Sequence, residues 1–162
     1  MPMNIDNQYI LIVEDEALLR MLYEDALEEV GFKQDVAPFD YQLDGWVVHF
    51  AANKEQAAEH IKRFVYEVVY LDHDLGNGKT SASLVPQLLR ASPNCELFLA
   101  SSNPEKQSTE VLAELTKANM AALAAQLKSH NKNDVRGFIA HMNSKIRPAN
   151  HLPAGEQPSP KT

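Results

Sequence analysis

Four short runs constrain what this chain can fold into: residues 9–13 (YILIV), 46–51 (WVVHFA), 67–71 (EVVYL) and 96–100 (ELFLA). Each is mostly apolar and lacks a polar–apolar alternation, and the first and third are rich in β-branched and aromatic residues. A strand wetted on one face alternates, whereas an unbroken apolar run marks a strand covered on both faces, as in a parallel sheet. Segments with helical spacing lie between and after these runs. Residues 17–30 carry Leu18, Leu22 and Ala26 on one stripe, with Leu19 and Leu27 beside them, and Gly31 supplies the stop. Asn53 opens a helix to about residue 64, with Gln56 three positions on as its capping partner. Residues 84–90 form a helix whose first turn accepts Pro86, and 108–118 form another with Val111, Leu112 and Leu115 on one side. Residues 133–146 place Val135, Phe138, Ile139, Met142 and Ile146 on one stripe.

Strands alternating with helices make right-handed βαβ units, so the expected fold is α/β, a doubly wound five-stranded parallel sheet with helices on both faces. The fifth strand is placed at residues 121–125, where the alanines favour helix equally well. Residues 33–45, with Pro38, Asp40, Asp44 and Gly45, read as an irregular surface connection. Trp46 is assigned to the core or its rim.

A length of 162 residues suits one domain. The expected domain covers residues 1–146, and the Pro-rich stretch 147–162 (RPANHLPAGEQPSPKT) is expected to be a disordered tail. The net charge of -7 argues against a general nucleic-acid or anionic-membrane surface. One cysteine, Cys95, excludes an internal disulfide and fits a reducing cytoplasm. No apolar run is long enough to span a bilayer, and MPMNIDNQYI has no secretory pattern.

In a doubly wound sheet, ligands bind beyond the carboxyl ends of the strands. Glu14 and Asp15 follow the first strand, Asp72 ends the third and Ser101 ends the fourth. Neighbouring strands are about 4.7–4.9 Å apart, so these carboxylates can converge. Converging carboxylates repel unless protons or a cation compensate, and a hard divalent ion such as Mg2+ suits oxygen ligands and phosphate alike. A carboxylate held there can attack a phosphoryl group and form an acyl phosphate. Glu16 reads as an acid in the first turn of a helix. His130 and His141 lack metal spacing and read as surface residues. Gly76 and Gly78 lack the pattern of a phosphate-binding loop and read as a flexible turn.

YILIVEDEALLR resembles the opening strand and acidic pair of response-regulator receiver domains, and VVYLDHDLGNG resembles their phosphoacceptor strand and loop. The resemblance runs from about residue 9 to 146 and implies a flavodoxin-like receiver fold. It implies Asp72 as phosphoacceptor and Ser101 as the switch hydroxyl. Mg2+ would be held by Glu14, Asp15 and Asp72 and the backbone carbonyl of Asp74. The phosphoryl donor would be a histidine kinase or phosphotransfer protein, and output would pass to a downstream protein partner rather than to nucleic acid.

The sequence departs from the family at two places. Gly76 stands where the family has Pro, and residues 121–125 taken as the fifth strand put Ala125 and Gln126 where the family has Lys, leaving Lys117 or Lys128 as candidates from a shifted position. The family's aromatic before that Lys is missing, with Met120 or Ala122 nearby. LDHDLG followed by SSNP is also similar to a receiver-like group that processes cyclic phosphates, although that group's His before Ser-x-Asn is here Ala100. His73 reads as a bystander. Two alternatives therefore accompany the phosphorelay reading: a metal-dependent phosphoesterase in the same pocket, and a degenerate receiver that binds a partner without phosphorylation.

Overall fold

The computed structural model of the protein describes residues 7–34 and 40–147. Pro38 and the segment from 148 onward, which holds nearly all of the expected tail, lie outside the described residues. The strands are β1 (Gln8–Val13), β2 (Lys33–Gln34), β3 (Tyr41–Leu43), β4 (Trp46–Ala51), β5 (Tyr66–Asp72), β6 (Glu96–Ser101) and β7 (Lys128–Asn131). The helices are α1 (Ala17–Glu29), α2 (Lys54–Arg63), α3 (Leu84–Ala91), α4 (Pro104–Lys117) and α5 (Val135–Ile146). They form one seven-stranded sheet in the order β2-β3-β4-β1-β5-β6-β7.

The five strands β4-β1-β5-β6-β7 are parallel, as expected. The two additional strands come from the segment read as irregular: β2 and β3 pair antiparallel, and β3 pairs antiparallel with β4. Asp44 and Gly45, both with positive φ (51° and 84°), make the two-residue turn between β3 and β4. A second difference concerns the fifth parallel strand. Residues Ala121–Gln126 form a 3-10 helix, and the strand is the next segment, Lys128–Asn131. β7 is an edge strand, paired among the described residues only with β6, so polar residues serve where the inner strands need apolar ones.

Period-two alternation assigns each inner strand residue to one of two cores. Leu11, Val13, Val69 and Leu71 pack with Ala57 and Ile61 of α2, Leu88 of α3 and Val111 of α4. Ile10, Ile12, Val68 and Tyr70 pack with Tyr23 and Leu27 of α1 and Phe138 and Met142 of α5. The buried stripe of α1 is therefore Leu19, Tyr23 and Leu27, at helical four-residue spacing. Leu18 and Leu22, expected on it, are 76% and 55% exposed. Trp46 is buried, as expected. The α2 start is capped as the sequence indicates: Gln56 N donates to Asn53 Oδ1 (2.8 Å) and Ala52 N donates to Gln56 Oε1 (2.8 Å). The last strand residues fall in rows, with Val13 opposite Leu71, Leu71 opposite Leu99 and Asp72 opposite Ala100, so the carboxyl ends of β1, β5 and β6 finish level. No described helix is long and apolar enough to cross a membrane.

Candidate functional site: an acidic pocket at the carboxyl edge of the sheet

Glu14 lies one residue beyond β1 and is held there by its backbone. Its N–H donates to Ala51 O (3.0 Å), and its carbonyl accepts from Arg20 Nη1 (2.7 Å). Tyr70 ends its ring under the same spot and donates its hydroxyl to Glu14 Oε1 (3.3 Å). Asp72 closes β5 one row on from Leu71. Glu14 is 0% and Asp72 1% exposed, and Asp15 is half-buried beside them. Carboxylate oxygens of Glu14, Asp15 and Asp72 lie within 4.8 Å of one another, so the three acids expected to converge do so.

The cation of this pocket is a residue the sequence reading missed. Lys132, just past β7, places Nζ 3.1 Å from Asp72 Oδ2, 3.1 Å from Glu16 Oε1 and 3.9 Å from Glu14 Oε2. Lys117 and Lys128 are elsewhere: Lys117 pairs with Glu114, and Lys128 pairs with Glu96 (2.6 Å). The misplaced fifth strand explains the miss, because moving the strand to 128–131 puts Lys132 at its end. Glu16, expected in the first turn of α1, is instead its N-cap residue. Its N–H donates to Glu14 Oε2 (3.1 Å), and its carboxylate shares Lys132.

Burial and then the neighbouring charge of Glu14 push the Asp72 carboxyl up to about 9, against the pull of Lys132. Burial likewise raises Glu14. For Lys132, burial works against the charged form, but Asp72 and Glu14 outweigh it and raise the amine further. One ammonium thus serves two fully buried carboxyls and a third beside them, a negative surplus that favours the protonated form of the buried acids. Asp72 Oδ1 has no hydrogen-bond partner although it is buried. An all-oxygen donor set with an orphaned carboxylate oxygen fits a hard divalent cation.

The loop after β5 lies against this pocket. Gly76, Asn77 and Gly78 all have positive φ, and a Cβ on Gly76 would stand 3.4 Å from Asp15 Oδ2. Glycine here answers both the backbone conformation and the close approach, which accounts for the missing Pro. Asp74 is exposed at the start of this loop, bridged to Thr80. Ser101 ends β6, with Oγ accepting from Asn103 N (2.9 Å).

His73 follows Asp72 and, by strand alternation, projects to the opposite face. Its ring is buried, with Nε2 3.0 Å from Glu110 Oε1 of α4. His130 is half-buried among Tyr70, Phe98 and Phe138, and His141, at the surface with its side chain 40% exposed, lies 3.0 Å from Glu96.

A parallel sheet of order 2-1-3-4-5 with helices on both faces is the flavodoxin-like doubly wound arrangement, and the acidic pocket lies where its first and third parallel strands end. No family model and no curated protein matches the sequence. In three dimensions, the chain is similar to solved receiver domains. One is a CheY-like response regulator receiver domain protein from Methanospirillum hungatei JF-1, at a TM-score of 0.57 and 16% identity, over 86% of this chain and 94% of that one. A receiver protein from Sinorhizobium medicae WSM419 gives 0.58 at 14% identity, over 88% and 97%. A response regulator from Burkholderia pseudomallei, solved with a phosphorylated aspartic acid, a calcium ion and citrate, gives 0.51 at 16% identity, over 86% and 75%. At these identities the likeness is one of fold, and the chain has the receiver (flavodoxin-like) fold.

Proposed function

We propose that this chain is a phosphorelay receiver that takes a phosphoryl group onto Asp72. The observation that carries the reading is the state of that carboxyl: buried, with Oδ1 unpartnered, Oδ2 on Lys132, and Glu14 and Asp15 close by. In the reaction, a deprotonated Asp72 oxygen attacks the phosphorus of the donor. The bond from phosphorus to the donor's nitrogen or oxygen breaks, and the leaving group keeps the electron pair. The product is an acyl phosphate on Asp72.

Glu14, Asp15, Asp72 and the carbonyl of Asp74 would hold Mg2+, which when bound neutralises charge on the transferring phosphoryl. The chain's own groups do the rest. Glu14 and Asp15 orient Asp72 by their placement, Tyr70 fixes Glu14, and Lys132 offers an ammonium to the phosphoryl oxygens. Ser101 offers a hydroxyl at the end of the neighbouring strand. Cognate donors would be a histidine kinase or phosphotransfer protein in the cytoplasm, with output to a protein partner, which makes this a signalling module rather than an enzyme. The domain would span residues 1–146.

His73, read as a bystander to the acidic pocket, is directed at Glu110 on the far side of the strand. Lys132, 3.1 Å from Asp72 Oδ2, stands where the degenerate reading had no lysine. The test is intact-mass spectrometry after acetyl phosphate treatment, followed by a kinase panel. We expect one added phosphoryl group with Mg2+, none with EDTA and none in Asp72→Asn. Label that survives Asp72→Asn would place the acceptor elsewhere.

A further inference from the structure

Outside the acidic pocket, an imidazole is enclosed where the antiparallel extension joins the parallel sheet. His49, within β4, is 3% exposed. Its ring lies among those of Tyr9 of β1, His60 of α2, Phe64 at the end of α2 and Tyr66 of β5. His49 Nδ1 is 2.8 Å from the Tyr66 hydroxyl, and Nε2 is 3.4 Å from Asp40 Oδ2. Asp40 stands one residue before β3 and continues the register that pairs Tyr41 with Val48. A bare Nε2 would repel that carboxylate, so the neutral ring carries its proton on Nε2, and Nδ1 accepts from Tyr66. The Tyr66 backbone is tied in turn, its N–H donating to the buried Ser92 Oγ (2.8 Å). The His60 ring is stacked on His49, with centroids 4.9 Å apart and planes 18° from parallel.

The titratable and charged groups facing these two rings are Tyr9, Asp40 and Tyr66, with Arg63 of α2 adding positive charge near His60. A second proton on His49 has to enter between Nδ1 and the Tyr66 oxygen, which turns the Tyr66 hydroxyl proton out of its bond into a closed surrounding. It also sets an imidazolium face to face with a second imidazole that titrates in the same range. Burial, and then His60, hold His49 down to about 4, and burial lowers His60 as well. Of the groups in contact with His49, Asp40 alone belongs to the extension, which is fastened to β4 by the three residues of β3. The extension is therefore the part that yields at least cost. We propose that Asp40, His49, His60 and Tyr66 form an acid-sensitive latch, which holds the β2–β3 extension against β4 while both imidazoles are neutral and releases it when they are protonated. The latch is independent of the phosphoacceptor reading of Asp72. Its release uncovers the N–H and C=O groups on the outer edge of β4 that β3 occupies. A histidine lowered in the closed state binds fewer protons there than in the open one. Closure is thus fully favoured above the ordinary 6.5 and is lost progressively as pH falls from there to about 4.

The test is amide hydrogen exchange of residues 41–43 in the full chain at pH 7 and pH 5, each rate taken relative to the intrinsic rate at that pH. Imidazole titrations by NMR run alongside. From pH 7 to pH 5, protection of residues 41–43 should fall on the order of tenfold while that of β6 stays unchanged. His49→Phe keeps a ring in the aromatic enclosure but takes up no proton, so most of that fall should disappear. If His49→Phe does not fold, His60→Phe carries the comparison. Removing the stacked partner should move the His49 titration upward and shrink the fall with it. Protection that drops equally in β3 and β6 reports general acid loosening and overturns the latch. So does a fall that persists undiminished in His49→Phe, or a His60→Phe protein in which neither the titration nor the fall changes.

Discussion

Asp72 and Lys132 set the chemistry of the pocket in opposite senses. A carboxyl raised to about 9 keeps a proton in the folded protein that the unfolded chain releases near its ordinary 3.8. Between those values the folded state binds more protons than the unfolded one, so stability falls as pH rises. In EDTA, we therefore expect a stability cost that builds from about pH 4 towards pH 9. Asp72→Asn should remove it and stabilise the metal-free protein at neutral pH by roughly 1–3 kcal/mol. Urea melts of both proteins across pH measure this, and equal slopes would contradict it. Lys132 occupies the pocket a divalent ion would enter, with Nζ 3.1 Å from Asp72 Oδ2. Lys132→Met should tighten Mg2+ binding and weaken beryllofluoride retention, each on the order of tenfold. Calorimetric titrations in which both affinities fell together would argue that Lys132 only holds the pocket's shape.

Among the elements, the three departures from the sequence reading have different causes. In the sequence the hairpin from β3 to β4 reads as an irregular connection: Asp44-Gly45 is a two-residue turn of the kind that suits a hairpin, but the flanking residues 41–43 are too few to look like a strand alone. The turn needs left-handed backbone at both positions, and the space around Gly45 is open. Gly45→Ala should consequently cost about 1 kcal/mol through backbone strain alone. A urea midpoint unchanged from wild type would refute that origin. β7 was not legible in the same way. KSHN has no apolar run, because an edge strand paired on one side is stabilised by its ladder to β6 rather than by burial. α1 misled for a third reason: two leucines, Leu18 and Leu22, face outward, so counting apolar residues picked a stripe about one position away from the buried one.

At the scale of the molecule, the acidic site could be foreseen because topology does most of the work. A parallel sheet brings the ends of distant segments level, so Glu14 and Asp72 meet whatever the connections between them. The lysine could not be placed, because its position depends on the register of β7, a parallel strand without an apolar pattern. Once β7 is in place, β1, β5 and β7 deliver Glu14, Asp72 and Lys132 to one edge, with Ser101 ending β6 between the last two. The most direct measurement of this account is a crystal structure with Mg2+ and beryllofluoride. We predict beryllofluoride on an Asp72 carboxylate oxygen, Mg2+ beside it among Glu14, Asp15 and Asp72, and fluorides within hydrogen-bond distance of Lys132 Nζ and Ser101 Oγ. Beryllofluoride bound away from Asp72, or an Asp72 still paired with Lys132 and untouched at saturating ligand, would contradict it.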